Sequence, residues 1–332
     1  MLKRTIGIMI GVTAVFGLMI FCGGCAGGGA KKGAIVLRAA DDHPLDYPTT
    51  QGLLEMGKII EKKTNGRIKV KVFPSAALGS ETQTIENTQM GTLDINRVSC
   101  APLTEFSQKI GVFSMPYIFR DAAHFRKVLD GPIGEEAAKD LEPKGLKLIA
   151  YYDSGARSFY NTKRAINTPD DLKGLKIRTQ KSQVMVDLVN ALGAAATPMS
   201  FEEVYSSLQT GVIEGAENNT PSYLSTNHYE VAKYYSLNEH ARVPDVVLIS
   251  MKTWNKLSDA DKKIVADAAK ESEKAQSELW AKYDKEALEK VKASGCKINK
   301  PDPAPFREKV KPMYEKYRAQ FGDLIDRIQE VK

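Results

Sequence analysis

Apolar residues fall along the chain in two alternating periods. Ile35 to Ala40 is a short apolar run of strand length. From Thr49, a plausible N-cap, Leu53, Met56, Ile59 and Ile60 recur at helical spacing until Asn65-Gly66 ends the pattern. Ile68, Val70 and Val72 then alternate with Lys69 and Lys71, which predicts a half-buried strand closed by Pro74. The rhythm continues with a helix from Glu81 to Gly91, a strand in TLDINRV (residues 92–98), a long helical stretch near 121–141 and an apolar strand from Leu148 to Tyr152. Such alternation predicts a mainly parallel sheet with helices on both faces and a ligand crevice at the carboxyl ends of its strands.

At Asp153-Ser154-Gly155 the apolar strand gives out and the same rhythm restarts, which places a crossing into a second lobe there. Thr168-Pro169-Asp170-Asp171 carries an N-cap, a proline at the first helical position and acids in the first turn, and Gly174 stops that short helix. The strand Leu175 to Thr179 brings Arg178 near its carboxyl end. Ser200 and Glu203 form a capping box for a helix that stops at Gly211, and residues 212–215 (VIEG) read as a strand running into Ala216-Glu217-Asn218-Asn219. Ser258 with Asp261 caps a last long helix, with no Gly or Pro until Gly295: about 37 residues, or about 55 Å. Its apolar positions are too sparse for a coiled-coil seam and its charges exclude a membrane span. The expectation is one beam laid across both lobes, with residues 34–154 plus 244–283 in the first lobe and 155–243 plus 284–332 in the second. Asp153 to Ala156 and the segment near Ala241 to Pro244 would be the hinges.

The N-terminus changes which residues count. Lys3 and Arg4 precede the apolar run Thr5 to Phe21, which ends at Cys22-Gly23-Gly24-Cys25 and reads as a secretion signal over residues 1–24. Gly23-Gly24-Cys25 resembles a bacterial lipoprotein cleavage site, which would make Cys25 a lipidated first mature residue and residues 25–33 a flexible tether. The formal charge of +6 falls to +4 once Lys3 and Arg4 are removed, and its even spread gives no reason to expect nucleic acid. With 332 residues, 42% hydrophobic and 27% charged, the chain is an ordinary globular one long enough for two domains. Cys100 and Cys296 alone remain in its body, too few for a disulfide scaffold, and whether they pair is open. His43, His124, His228 and His240 lack zinc-site spacing, and neither a phosphate-binding loop nor a nucleophile elbow is present. No metal, cofactor or catalytic set is expected.

Several motifs in one order carry a resemblance. ARSFYNTKR from Ala156, TPDDLKGLKIR through Arg178, ALGAAATPMSFEEVYSSLQTGVIEGAENN through Asn219 and YEVAKYYSLNEH through His240 are joined by FPSAALGSETQTIENTQMGTLDI from Phe73 and FSMPYIFRDAAHFRKVLDG from Phe113. Over almost all of residues 34–295 the chain resembles the solute-binding proteins of TRAP (tripartite ATP-independent periplasmic) transporters. The resemblance implies a two-lobed, periplasmic-binding-protein-like α/β fold with a ligand cleft between the lobes and a long helix spanning both. It implies an extracytoplasmic receptor, without cofactor or turnover, that closes on an organic acid and delivers it to the membrane permease subunits of a TRAP transporter, held to the membrane surface if Cys25 is lipidated.

By motif, Arg178 matches the arginine that holds the ligand carboxylate, Arg157 a second ligand-facing arginine, Asn218 the asparagine that assists, and Glu81 an acid offered to ligand hydroxyls. A planar guanidinium meets both carboxylate oxygens at once, which a lysine ammonium does not. Without the resemblance, either arginine would be a solvated surface charge, Asn218 a turn residue and Glu81 a first-turn acid favoured by the helix dipole. Asp42-His43-Pro44 to Tyr47-Pro48-Thr49, with residues 216–219 and the stretch after them, looks most like members that take hexuronates such as glucuronate or galacturonate. Glu81, His43, Gln180 and Asn219 would then serve the hydroxyls, Gln180 pointing the same way as Arg178 two residues before it. A dicarboxylate would want a second cation rather than an extra acid. A receptor for a small dicarboxylate or oxo acid stays open, as at greater remove do a receptor for an ABC importer or a signalling protein and an extracytoplasmic enzyme acting on sugar acids.

Overall fold

The computed structural model describes residues 34–332. Among them, strands β1 (Ile35–Ala40), β2 (Ile68–Phe73), β3 (Ile95–Ser99), β4 (Leu146–Tyr152), β5 (Arg157–Asn161), β6 (Lys176–Thr179), β7 (Ala195–Pro198), β8 (Gly215–Asn218), β9 (Tyr234–Ala241), β10 (Asp245–Ser250) and β11 (Lys297–Asn299) alternate with helices. They form two sheets, ordered β2-β1-β3-β10-β4 and β11-β9-β5-β8-β6-β7, one in each lobe. The sheets are mixed rather than mainly parallel: β10 runs antiparallel to β3 and β4, and β5 runs antiparallel to β8 and β9. The reason is the connectivity. The chain changes sheet between β4 and β5 and returns between β9 and β10, and the first strand after each of these two changes lies between strands of opposite direction; a third change, after β10, brings β11 to the edge of the second sheet, parallel to β9.

Local differences from the expected elements each have a cause. The first helix is Pro48–Lys63 with Tyr47 at its N-cap, so Thr49 lies inside it; the hydroxyls of Thr49 and Thr50 instead donate to Asp41 Oδ2, both at 3.0 Å. The stretch near 121–141 is two helices, Ala122–Leu129 and Pro132–Lys139, because Pro132 has no N–H to continue the ladder and biases Gly131 towards extended backbone. The strand expected at 212–215 begins only at Gly215, whose backbone lies so close to β5 that an added Cβ would meet Tyr160 O at 2.5 Å. This shift puts Glu217 and Asn218 inside the sheet.

The long helix is unbroken from Asp259 to Ala293, 35 residues, with the Ser258 hydroxyl accepting from Asp261 N at 3.1 Å. Val265, Ala268 and Ala269 pack into the core of the first sheet and Val291 into that of the second, so the helix braces both lobes. Where the chain first changes sheet, Gln276 clamps it: its Nε2 donates to Asp153 O (2.8 Å) and its Oε1 accepts from Asp153 N (3.0 Å). Gly155 beside it has φ +63°, and a Cβ there would press on the Trp280 ring at 3.0 Å. A third core joins Phe113 and Leu188 to Phe306 and Ile325 of the C-terminal helices Ala304–Phe321 and Leu324–Glu330. Cys100 and Cys296 are both free thiols. Among the described residues no helix is long and apolar enough to cross a membrane. The signal over 1–24, the lipidation site Cys25 and the tether over 25–33 lie outside the described residues.

Candidate ligand-binding site

A cavity lies between the lobes, and Arg178, Arg157, Asn218, Glu81, His43, Gln180 and Asn219 all line it. Residues from β5, β6 and β8 of one sheet therefore face residues from the first sheet across a single enclosed space. Its two walls differ in charge.

The wall from the second lobe is basic. Arg178 on β6 is 3% exposed, and its Nε and Nη2 both donate to the Met199 carbonyl (3.1 and 2.9 Å). Among the described residues it has no carboxylate partner, while the Phe201 ring packs 5.7 Å from its guanidinium carbon. Burial lowers its pKa, opposed by the charge of Glu217. Arg157 on β5 is different. Its Nε and Nη2 fork onto the two Glu217 carboxylate oxygens (2.6 and 2.9 Å), Nη2 also reaches Glu217 O, and Nη1 donates to Asn218 Oδ1 (3.0 Å). Burial would raise the Glu217 pKa, but Arg157 and the hydrogen bond from His240 outweigh it and hold it at about 2. Arg157 thus lines the cavity with its fork already occupied. Asn218 Oδ1 also accepts from Asn219 N, and Asn219 Oδ1 caps the helix Thr220–Ser225 through Ser222 N (2.7 Å) while accepting from the Tyr47 hydroxyl of the other lobe (3.3 Å).

The wall from the first lobe is acidic. Arg97 on β3, 3% exposed, meets Asp42 Oδ1 at 2.6 Å, Asp41 Oδ1 at 3.3 Å, Glu81 Oε1 at 4.0 Å and also Asp245. Glu81 opens its helix as expected, with Ser80 and Gln83 as the capping box, and its Oε1 accepts from Ser99 N (2.7 Å). Burial pushes its pKa up to about 8, helped by the Asp42 charge and opposed by Arg97. Burial likewise raises Asp42 to about 7 against the pull of Arg97. His43 stacks on Tyr47, with ring centroids 3.7 Å apart, and meets Phe201 of the other lobe edge-on at 5.2 Å. Burial holds it neutral, its pKa well below the usual range. His43 Nδ1, Ser99 Oγ and Gln180 Oε1 are buried without a protein hydrogen-bond partner.

The motifs single out neither Arg97 nor Asp245, and they quote Asp42 only within a longer stretch. A usable signal was present: an arginine in the middle of a strand whose five residues are all buried demands carboxylates, and Asp41-Asp42 stands at the end of the neighbouring strand. Chemically, a buried cation free of carboxylates among the described residues faces a ring of hydrogen-bonding acids and amides. That arrangement suits a small anion rich in hydroxyls.

Comparisons with known proteins agree. A family described as bacterial extracellular solute-binding protein, family 7, matches residues 39–320. A solute-binding protein of Chromohalobacter salexigens is 38% identical over 291 residues, 87% of each chain. The crystal structure of a TRAP periplasmic solute-binding protein from Xanthobacter autotrophicus with bound β-D-galacturonate is 43% identical, with a TM-score of 0.87 over 89% of this chain and 100% of that one. One from Roseobacter denitrificans with bound β-D-glucuronate is 38% identical, with a TM-score of 0.87 over 90% and 100%. With this match in sequence and fold, the chain belongs to family 7 of the bacterial extracellular solute-binding proteins, the solute receptors of TRAP transporters.

Proposed function

We propose that the protein is an extracytoplasmic receptor for a hexuronate, galacturonate or glucuronate, which it encloses between its lobes and hands to a TRAP permease without chemical change. The observation that carries this reading is Arg178: a guanidinium 3% exposed, in a closed cavity, without a carboxylate partner among the described residues. A carboxylate from outside would satisfy it. The acidic wall supports the sugar part, because Glu81, Asp42, His43, Ser99 and Gln180 offer acceptors and donors to hydroxyls. It disfavours a dicarboxylate, whose second carboxylate would find Arg97 and Arg157 already engaged by protein acids. The bound uronates of the two solved relatives support the same choice.

Calorimetry with D-galacturonate, D-glucuronate, succinate and pyruvate tests it. The uronates are expected to bind and the others not, and Arg178→Ala is expected to weaken uronate binding by about two to four powers of ten. Tighter binding of succinate, or unchanged uronate affinity in Arg178→Ala, would overturn the assignment. Export follows from residues 1–24, and we place the mature chain at the membrane surface through lipid on Cys25. Labelled palmitate should follow the wild-type protein and not Cys25→Ser.

A further inference from the structure

The acidic wall holds more negative charge than its single cation balances. Asp41, Asp42, Glu81 and Asp245 all lie within 4.0 Å of Arg97 or bonded to it, so full ionisation would leave three negative charges uncompensated beside the cavity. Among the described residues nothing else packed against the cluster offsets them. His43 is neutral, the buried Cys100 thiol is pushed well up and adds no charge, and Asp153 is occupied by Arg242 at 3.1 Å. Across the cavity, Arg157 and Glu217 cancel each other, and His240 gives its Nε2–H to Glu217. Only Arg178 remains, and its field reaches Glu81. Asp41 takes hydroxyl and amide donors from Thr49, Thr50 and His43, which oppose the rise that burial imposes on it. Asp42 meets the same Arg97 Nη1 at 2.6 Å, and the neighbouring Asp41 charge adds to the burial that raises it.

We propose that the Arg97 cluster keeps at least one proton at neutral pH and draws in a further one when an acidic ligand is enclosed, so that recognition of the hydroxyl end is coupled to proton uptake. This rests on the receptor reading above and deepens it. The coupling has a physical cause: a ligand carboxylate seated on Arg178 cancels the positive charge whose field reaches Glu81, and proton uptake restores neutrality inside a water-poor cavity. A protonated carboxyl also donates to a ligand oxygen, which an ionised one does not. The cluster therefore contributes to specificity as well as to charge balance: it accepts a hydroxyl and repels a second carboxylate.

Two measurements on the whole mature protein test this separately from the identity of the ligand. In ligand-free protein labelled with carbon-13 at Asp and Glu carboxyls, at least one carboxyl that shifts in Glu81→Gln or Asp42→Asn should titrate above pH 6.5; if every cluster carboxyl titrates below pH 5, the proposal is wrong. Calorimetry with D-galacturonate at pH 7.5 in phosphate and in Tris should give heats that differ by a net uptake of about 0.3 to 1 proton per ligand, and the affinity should fall by up to about tenfold per pH unit above pH 8. Equal heats in the two buffers with affinity flat from pH 6 to 9 would overturn the coupling. If galacturonate gives no heat at any pH, the hexuronate reading fails, while the carboxyl titration still decides whether the cluster holds its proton.

Discussion

Two arginines that look alike in the sequence do opposite work at the residue scale. Arg178 leans on a backbone carbonyl and has no carboxylate partner among the described residues, whereas Arg157 spends its fork on Glu217, a partner 60 residues away. They should therefore separate cleanly under mutation. Arg178→Ala removes a buried charge that no protein acid needs, so it should cost affinity and leave folding intact. Glu217→Gln breaks a fully buried ion pair and strands Arg157, so it should lower stability by about 3 kcal/mol, read as a reduced urea midpoint at unchanged slope. A Glu217→Gln protein as stable as wild type would show that Arg157 finds another partner. Arg178 was legible in the sequence because its motif and its place at a strand end fall within one short segment. The Arg97 cluster was legible only in part: a mid-strand arginine calls for carboxylates, but Asp41, Asp42 and Asp245 reach it from 56, 55 and 148 residues away and no local pattern says which acids answer.

Capping chemistry made most elements readable. Ser80, Ser200 and Ser258 start helices where expected, and Gly91 and Gly211 end them in the left-handed region at φ +76°. What failed was what local signals do not encode. The antiparallel strands follow from the chain crossing between sheets, and Tyr47 displaces Thr49 at the first helix because the threonine hydroxyls are wanted by buried Asp41. The long helix shows what an element adds beyond its own stability. Gln276, fully buried, closes two hydrogen bonds with the backbone of Asp153, so the beam fixes the chain where it crosses between sheets. Gln276→Ala leaves both backbone groups unpaired and should cost about 1 to 3 kcal/mol. Amide exchange at residues 153–156 should accelerate with it; unchanged exchange there would mean that the beam merely lies alongside the crossing.

For the whole molecule, the lobes meet in a closed form. The Tyr47 hydroxyl contacts Ser222 Oγ at 2.8 Å, and the Thr104 hydroxyl donates to Ser182 Oγ at 3.2 Å, each pair joining the two lobes. Closing buries groups of both titration senses, and the pH dependence of folding follows from their signs. Burial lowers His43, His228 and His240, His228 to about 3, so the unfolded chain takes up protons that the folded one refuses as pH drops below about 6.5, and stability falls on the acid side. Asp42 and Glu81, raised to about 7 and 8, act in reverse: the folded state holds protons that the unfolded state has already released, and that advantage is lost as pH rises through those values. Stability measured by urea unfolding should therefore peak near pH 6 to 6.5 and decline by about 1 to 2 kcal/mol towards pH 8. Glu81→Gln should flatten the alkaline limb, steepen the acid limb above about pH 4.5 and move the maximum to higher pH, because Glu81 keeps its extra proton in the folded state across that whole range. A wild-type profile that is level or rising between pH 6.5 and 8 would mean that the acidic wall is hydrated in the ligand-free protein, with its carboxyls titrating as they do on a surface.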